Sequence, residues 1–239
     1  MLLSLSLSRG NGAEDVDQLL QQATEAAQRG EHDRSVRLLT RAISQPGAPA
    51  LCWYLRGREN FRVNQVGESV VDFNKYVELE PRAESRLWER GISFYYAGQF
   101  AKGAKQFDEY QKFHDQDVEN SAWRYLCVAR ESGVEKARTT LLPITSDLRV
   151  PMMQIYELYQ GKLKPEDVLA VARKDPPNRE LENQRLFYAH LYIGLWYEAG
   201  GQLEQAKEHI LAAEKHRIAH YMWDVAHIHA KRLRTAKDN

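Results

Sequence analysis

Arg56 and Arg90, Gly57 and Gly91, Phe73 and Phe107, and Tyr76 and Tyr110 are like pairs, each 34 residues apart. Around them, apolar residues recur at i, i+3, i+4 and i+7 over long windows, which is the helical period. The windows are separated by breakers such as "RGEHD", "QPGAP", "EPRAE", "AGQ", "DPPN" and "AGG". Helices of about 10–15 residues joined by short turns are what such punctuation produces. A single helical hairpin exposes an apolar stripe that it cannot cover alone. A second copy covers it, so the covering residues must recur at the hairpin period. The chain is therefore expected to be all-α and built by stacking. In it Gly57 and Gly91 let paired helices approach, Phe73 and Phe107 fill the space that remains, and Pro81 stops a second helix.

The composition suits this architecture. Hydrophobic residues make up 43% of the 239 and charged residues 28%, ordinary values for a globular chain. Lys plus Arg equals Asp plus Glu at 33 each, so no global charge draws the chain to nucleic acid or to an anionic membrane. The opening "MLLSLSLSRGNG" is short, broken by serines and not preceded by a basic residue, so it lacks the pattern of a secretory signal. Residues 1–13 are read as leader-like or unstructured, and residues 14–234 as one domain. No segment approaches the roughly 20 apolar residues of a membrane span, and a soluble body is expected. Cys52 and Cys127 sit in apolar helical stretches, where buried reduced thiols are expected.

The residues carry a resemblance. Trp53, Gly57, Phe73 and Pro81 in one unit, Gly91, Gly98 and Phe107 in the next, and Gly194, Tyr197, Gly201, Ala206 and Ala213 further on resemble the tetratricopeptide repeat pattern. The resemblance implies a right-handed superhelix of hairpins at about 16–49, 50–83, 84–117, 120–140 and 187–217. An irregular insert at about 141–180 breaks the period, with Pro143, Pro151 and Pro165 setting helix starts, and a capping helix at about 219–234 ends the stack in water. The order of units, with "YELYQGK" in the insert, is similar to NlpI-like bacterial repeat proteins and to planctomycete-type secreted ones. That similarity implies an envelope or periplasmic setting, with a cytoplasmic one left open. No lipidated cysteine lies near the start to support an anchor.

No phosphate loop, nucleophile elbow or paired-cysteine motif is present, and no cofactor is expected. The expected function is a non-catalytic scaffold or adaptor that binds a protein or peptide segment on its concave face. In this architecture first helices line that face, and aromatics with Arg give contact area and oriented hydrogen bonds. The groove candidates are Tyr54, Arg58, Phe61, Trp88, Ile92, Tyr95, Arg124 and Tyr188. The Lys/Asn clamp that some family members use for a C-terminal carboxylate is not visible at these positions. Two other readings stay open. One is self-association into a homodimer through packed aromatics. The other is a metal-dependent enzyme using His216, His220 and Asp224, whose spacing of four along a helix could gather ligands on one face.

Overall fold

The computed structural model describes residues 15–235. The leader-like residues 1–13 lie outside the described residues. The described chain is an all-helical repeat superhelix without a strand. Four hairpins come first: α1 (Val16–Gln28) with α2 (His32–Ile43), α3 (Leu51–Arg62) with α4 (Val66–Leu79), α5 (Trp88–Tyr96) with α6 (Phe100–Phe113), and α7 (Val118–Ser132) with the short α8 (Val134–Thr139). An extended strap leads into α9 (Met152–Tyr159) and α10 (Pro165–Arg173). Then come α11 (Arg179–Ala199), α12 (Leu203–Lys215) and α13 (Tyr221–Thr235). Pro151 and Pro165 stand at the starts of α9 and α10, but Pro143 starts no helix and lies in the strap.

Two side-chain rules explain why the period is 34. The first is the glycine contact. A Cβ at Gly57 would lie 3.1 Å from the Phe73 ring, one at Gly91 2.6 Å from the Phe107 ring, and one at Gly194 2.9 Å from Ile210. In each hairpin the first helix gives up its side chain so that a large residue of the second can seat against its backbone.

The second is an arginine brace. Arg56 donates to Asp72 at 2.6 and 2.9 Å and back to Thr40 at 3.1 Å. Arg90 donates to Gln106 at 3.0 Å and back to Asn74 at 2.9 Å. Arg124 donates to the Thr140 carbonyl and back to Asp108, both at 2.6 Å. Every one of these partners stands 16 residues from its arginine, so each guanidinium ties its own hairpin to the preceding one. The turns share the register: Gly30, Asn64 and Gly98 have φ of 76°, 64° and 70°, the left-handed conformation that ends a helix and reverses the chain.

The two cysteines are free and buried. The Cys127 sulfur would lie 2.7 Å from a Cβ at Gly103, so it seats against the backbone of α6.

α13 departs from the expected water-facing cap. Tyr221, Met222, Val225, Ala226, Ile228, His229 and Ala230 are all buried. The helix leaves α12 through the corner at 216–220 and lies back across the first helices of the second and third hairpins. The Tyr221 ring stands 5.7 Å from Phe61 and 5.5 Å from Trp88. The Arg62 Nε donates to Asp224 at 2.7 Å. Arg232 donates to Asn64 at 2.8 Å and to the Tyr96 carbonyl at 3.0 Å. The superhelix is therefore closed by its own last helix, and its concave face is partly filled.

Candidate functional site

The residues expected to line the groove divide into two sets. Tyr54, Arg58 and Trp88 keep partial access to solvent on the concave side. Tyr54 donates to Glu89 at 2.9 Å, and burial pushes its phenol up to about 12. The Arg58 guanidinium lies 4.9 Å from the centre of the Tyr221 ring, held there by cation–π attraction. Trp88 stacks on His220 with ring centres 6.3 Å apart and planes 8° apart. Tyr54 and Trp88 also share a cavity of about 500 Å³ at the starts of their helices.

The other set is corrected by the structure. Phe61 and Ile92 have no exposed surface, and Tyr95 and Tyr188 keep 6% and 4%. Phe61 is covered by Tyr221 and Tyr96, and Tyr95 packs against Trp123, Tyr96 and Phe100. Tyr188 sits among Phe187 and Tyr192 on α11. Buried to this degree, none of the four offers a surface to a partner in this structure. Arg124 is the third brace of the 56, 90, 124 series and spans second-helix residues instead of facing the groove. That role was visible in the sequence as a further step of the same 34-residue interval.

The proposed ligand trio is also not assembled. His216 meets Asn183 at 3.0 Å and stacks on His190. His220 stacks on Trp88 and accepts from the Met222 amide at 3.3 Å. Asp224 is engaged by Arg62. Each is turned to a different neighbour, and a corner at 216–220 separates His216, at the end of α12, from Asp224 on α13. Among the described residues no three His, Cys, Asp or Glu side chains form a metal-binding group.

α13 leaves two concave spaces, one on each side of His220. The first, about 720 Å³, lies between α1–α3 and the corner, with Leu55, Arg58, Arg62, Arg217 and Tyr221 among its walls. The Tyr221 hydroxyl is buried without a hydrogen-bond partner. Arg62 is held by Glu59 and Asp224, and His32 meets Glu59 at 2.7 Å. Burial pushes the Glu59 carboxyl up, but His32 and Arg62 outweigh it and the group sits below the usual range.

The second space, about 480 Å³, is walled by Trp88, Phe107, Tyr110 and Trp123 and bounded by the strap at 146–149. Arg149 donates to Asp117 and Glu119 at 2.7 Å and to Asp147 at 2.6 Å. Burial and the Asp117 charge push the Glu119 carboxyl up to about 7, against the pull of Arg149 and the Tyr192 hydroxyl. Sequence reading missed this site because its acids lie on α7 and on the strap, outside the groove positions of the repeat pattern.

No protein-family model matches the sequence. MamA of Desulfovibrio magneticus RS-1, from residue 41 to its end, is similar in structure, with a TM-score of 0.51 and 14% identity over 85% of this chain and 96% of that one. The chain has the tetratricopeptide-type repeat fold. The ArsTM double mutant of MamA gives 0.50 and 14%, over 86% and 96%. YrrB, titled a TPR protein with an unusual peptide-binding site, gives 0.46 and 16%, over 92% and 94%. In sequence, a Protein SGT1 homolog of Bos taurus is 27% identical over 95 residues, which is 40% of this repeat chain and spans 28% of the relative's length.

Proposed function

We propose that this repeat protein is a non-catalytic interaction scaffold that holds a segment of a partner protein on its concave face, in the spaces beside α13. The observation that carries this reading is the 720 Å³ cleft between α1–α3 and the 216–220 corner. It combines apolar wall (Leu55, Ala23, Ala27), guanidinium donors and the unpartnered Tyr221 hydroxyl. That mixture suits a peptide, which brings both apolar side chains and backbone carbonyls. A photo-cross-linking residue at Leu55 should capture a discrete partner, and one at Val71, 58% exposed on α4, should not. Capture at Val71 alone would place the binding surface on the convex side and overturn the reading. Capture of a second copy of the chain at Leu55 would assign the cleft to self-association instead.

A further inference from the structure

We propose that the 480 Å³ cavity behind the strap is a receptor for a basic side chain, lysine or arginine, presented by the partner segment. The inference rests on the scaffold reading above and adds what the partner must carry.

Charge comes first. Asp117, Glu119 and Asp147 converge on one guanidinium, that of Arg149. Among the lining residues Arg149 is the sole guanidinium or ammonium group. Even with Glu119 holding its proton part of the time near neutral pH, three carboxyl groups against one cation leave an excess of negative charge in a partly enclosed space, where screening by water is weak. Burial is the larger cause of the raised Glu119 carboxyl and the Asp117 charge the next, with Arg149 pulling the other way.

The walls supply an independent observation. Asn120 and Trp123 line the cavity at 3% and 2% exposure, and each keeps a polar atom with no partner: Oδ1 of Asn120, which accepts, and Nε1 of Trp123, which donates. The Asn120 amide nitrogen is already committed to the Phe107 carbonyl and Gln111, so its oxygen is held in place. Buried polar atoms of native proteins are nearly always satisfied, and an acceptor left without a partner is costly. A peptide backbone offers one N–H and one C=O per residue and can satisfy both atoms. Its basic side chain would reach the acids past Trp88 and Tyr110, lining rings of a kind that attracts a cation.

The rim suits a protein partner. Leu148, 95% exposed, stands at the mouth between Asp147 and Arg149. Gln116 fixes the strap by accepting from the Thr145 and Ser146 amides at 2.9 and 3.0 Å, and the Val118 amide donates to Asp147 at 3.3 Å. The strap is thus held in place by hydrogen bonds of its own.

The test uses the full chain, isotope-labelled, and follows the indole N–H resonance of Trp123, assigned with Trp123→Phe. The probes are capped glycine peptides with one central arginine, lysine, citrulline or glutamate. The arginine and lysine probes should shift the resonance saturably, and citrulline, which has the same shape without the charge, should bind about tenfold more weakly or not at all. Glu119→Gln and Asp147→Asn should each weaken the arginine probe severalfold while circular dichroism stays unchanged. Equal binding of arginine and citrulline, or no saturable shift with arginine, overturns the proposal. The charge selectivity of the unaltered chain decides the matter even where a variant fails to fold. Partner capture at Leu55 without this selectivity leaves the scaffold reading standing and removes this inference. Selectivity without capture at Leu55 does the reverse.

Discussion

Gly91 is the tightest of the close-packing glycines that face an aromatic ring. Its missing Cβ would sit 2.6 Å from Phe107, whose ring is 1% exposed and has nowhere to withdraw. Ala is otherwise the better helix former by about 1 kcal/mol, so the outcome is a contest between propensity and overpacking. At Gly91 overpacking should win, and Gly91→Ala should lower the urea midpoint by a loss of about 1–3 kcal/mol. At Gly57 the clearance to Phe73 is 3.1 Å, and Gly57→Ala should come much closer to neutral. Equal losses at both positions would contradict the difference in clearance.

Two single residues should also oppose one another in pH dependence. Glu119 is raised to about 7 by burial and Asp117, so between about 4.5 and 7 the folded chain holds its proton more tightly than the unfolded chain. Stability from this group falls as pH rises through that window. His190 is lowered to about 4 by burial and by His209 and His216. It is folded neutral where the unfolded chain is protonated, so its contribution is full above about 6.5 and lost as pH falls toward 4. Relative to wild type, Glu119→Gln should therefore gain most near pH 7 and little near 4.5. His190→Gln should gain most near pH 4 and little above 6.5. Denaturant midpoints across this range check both signs.

At the scale of the element, α13 rests on contacts that close very long loops. The Arg62–Asp224 hydrogen bond spans 162 residues and the Tyr96–His229 bond, at 2.8 Å, spans 133. His229 also approaches Glu198 of α11 at 3.5 Å, so one buried histidine joins α5, α11 and α13. A double-mutant cycle of Arg62→Ala and Asp224→Ala should give a coupling of about 0.5–3 kcal/mol, since both groups are mostly buried and share one interface. A coupling near zero would mean that α13 is not docked on α3.

These distances show why the hairpins were legible in the sequence and the last helix was not. Gly57 and Phe73, or Arg56 and Asp72, meet within a single 34-residue unit, and the repeat displays the rule more than once. The amphipathic pattern of "YMWDVAHIHAKRLR" shows that one side is buried but does not say against what. Read as a cap, it left Phe61 and Tyr95 free to serve the groove. Packed inward, it covers Phe61, while Tyr95 is enclosed by Trp123, Tyr96 and Phe100. Tyr54 and Trp88 keep partial access in the first turns of α3 and α5, and Arg58, further along α3, keeps it beside the Tyr221 ring. The brace role of Arg124 was legible as a third step of the interval, but its place in a first helix drew attention to the groove instead.

For the whole molecule, closing the superhelix changes what a concave face can do. An open groove would accept a long helix or extended segment along its length. Here the Trp88–His220 stack divides it into two separate spaces with different chemistry: a cleft rich in arginine on one side and an acidic, aromatic cavity on the other. No helix among the described residues is long and apolar enough to cross a membrane. On the convex side, apolar residues such as Val71 and Phe113 are exposed singly. The most direct test of the concave assignment is backbone hydrogen exchange of the full chain, free and bound to the partner recovered through Leu55. Binding should slow exchange in α1, α3 and the 216–220 corner and leave α4 and α6 unchanged. Protection confined to α2, α4 and α6, with α3 and the corner exchanging as in the free chain, would contradict it.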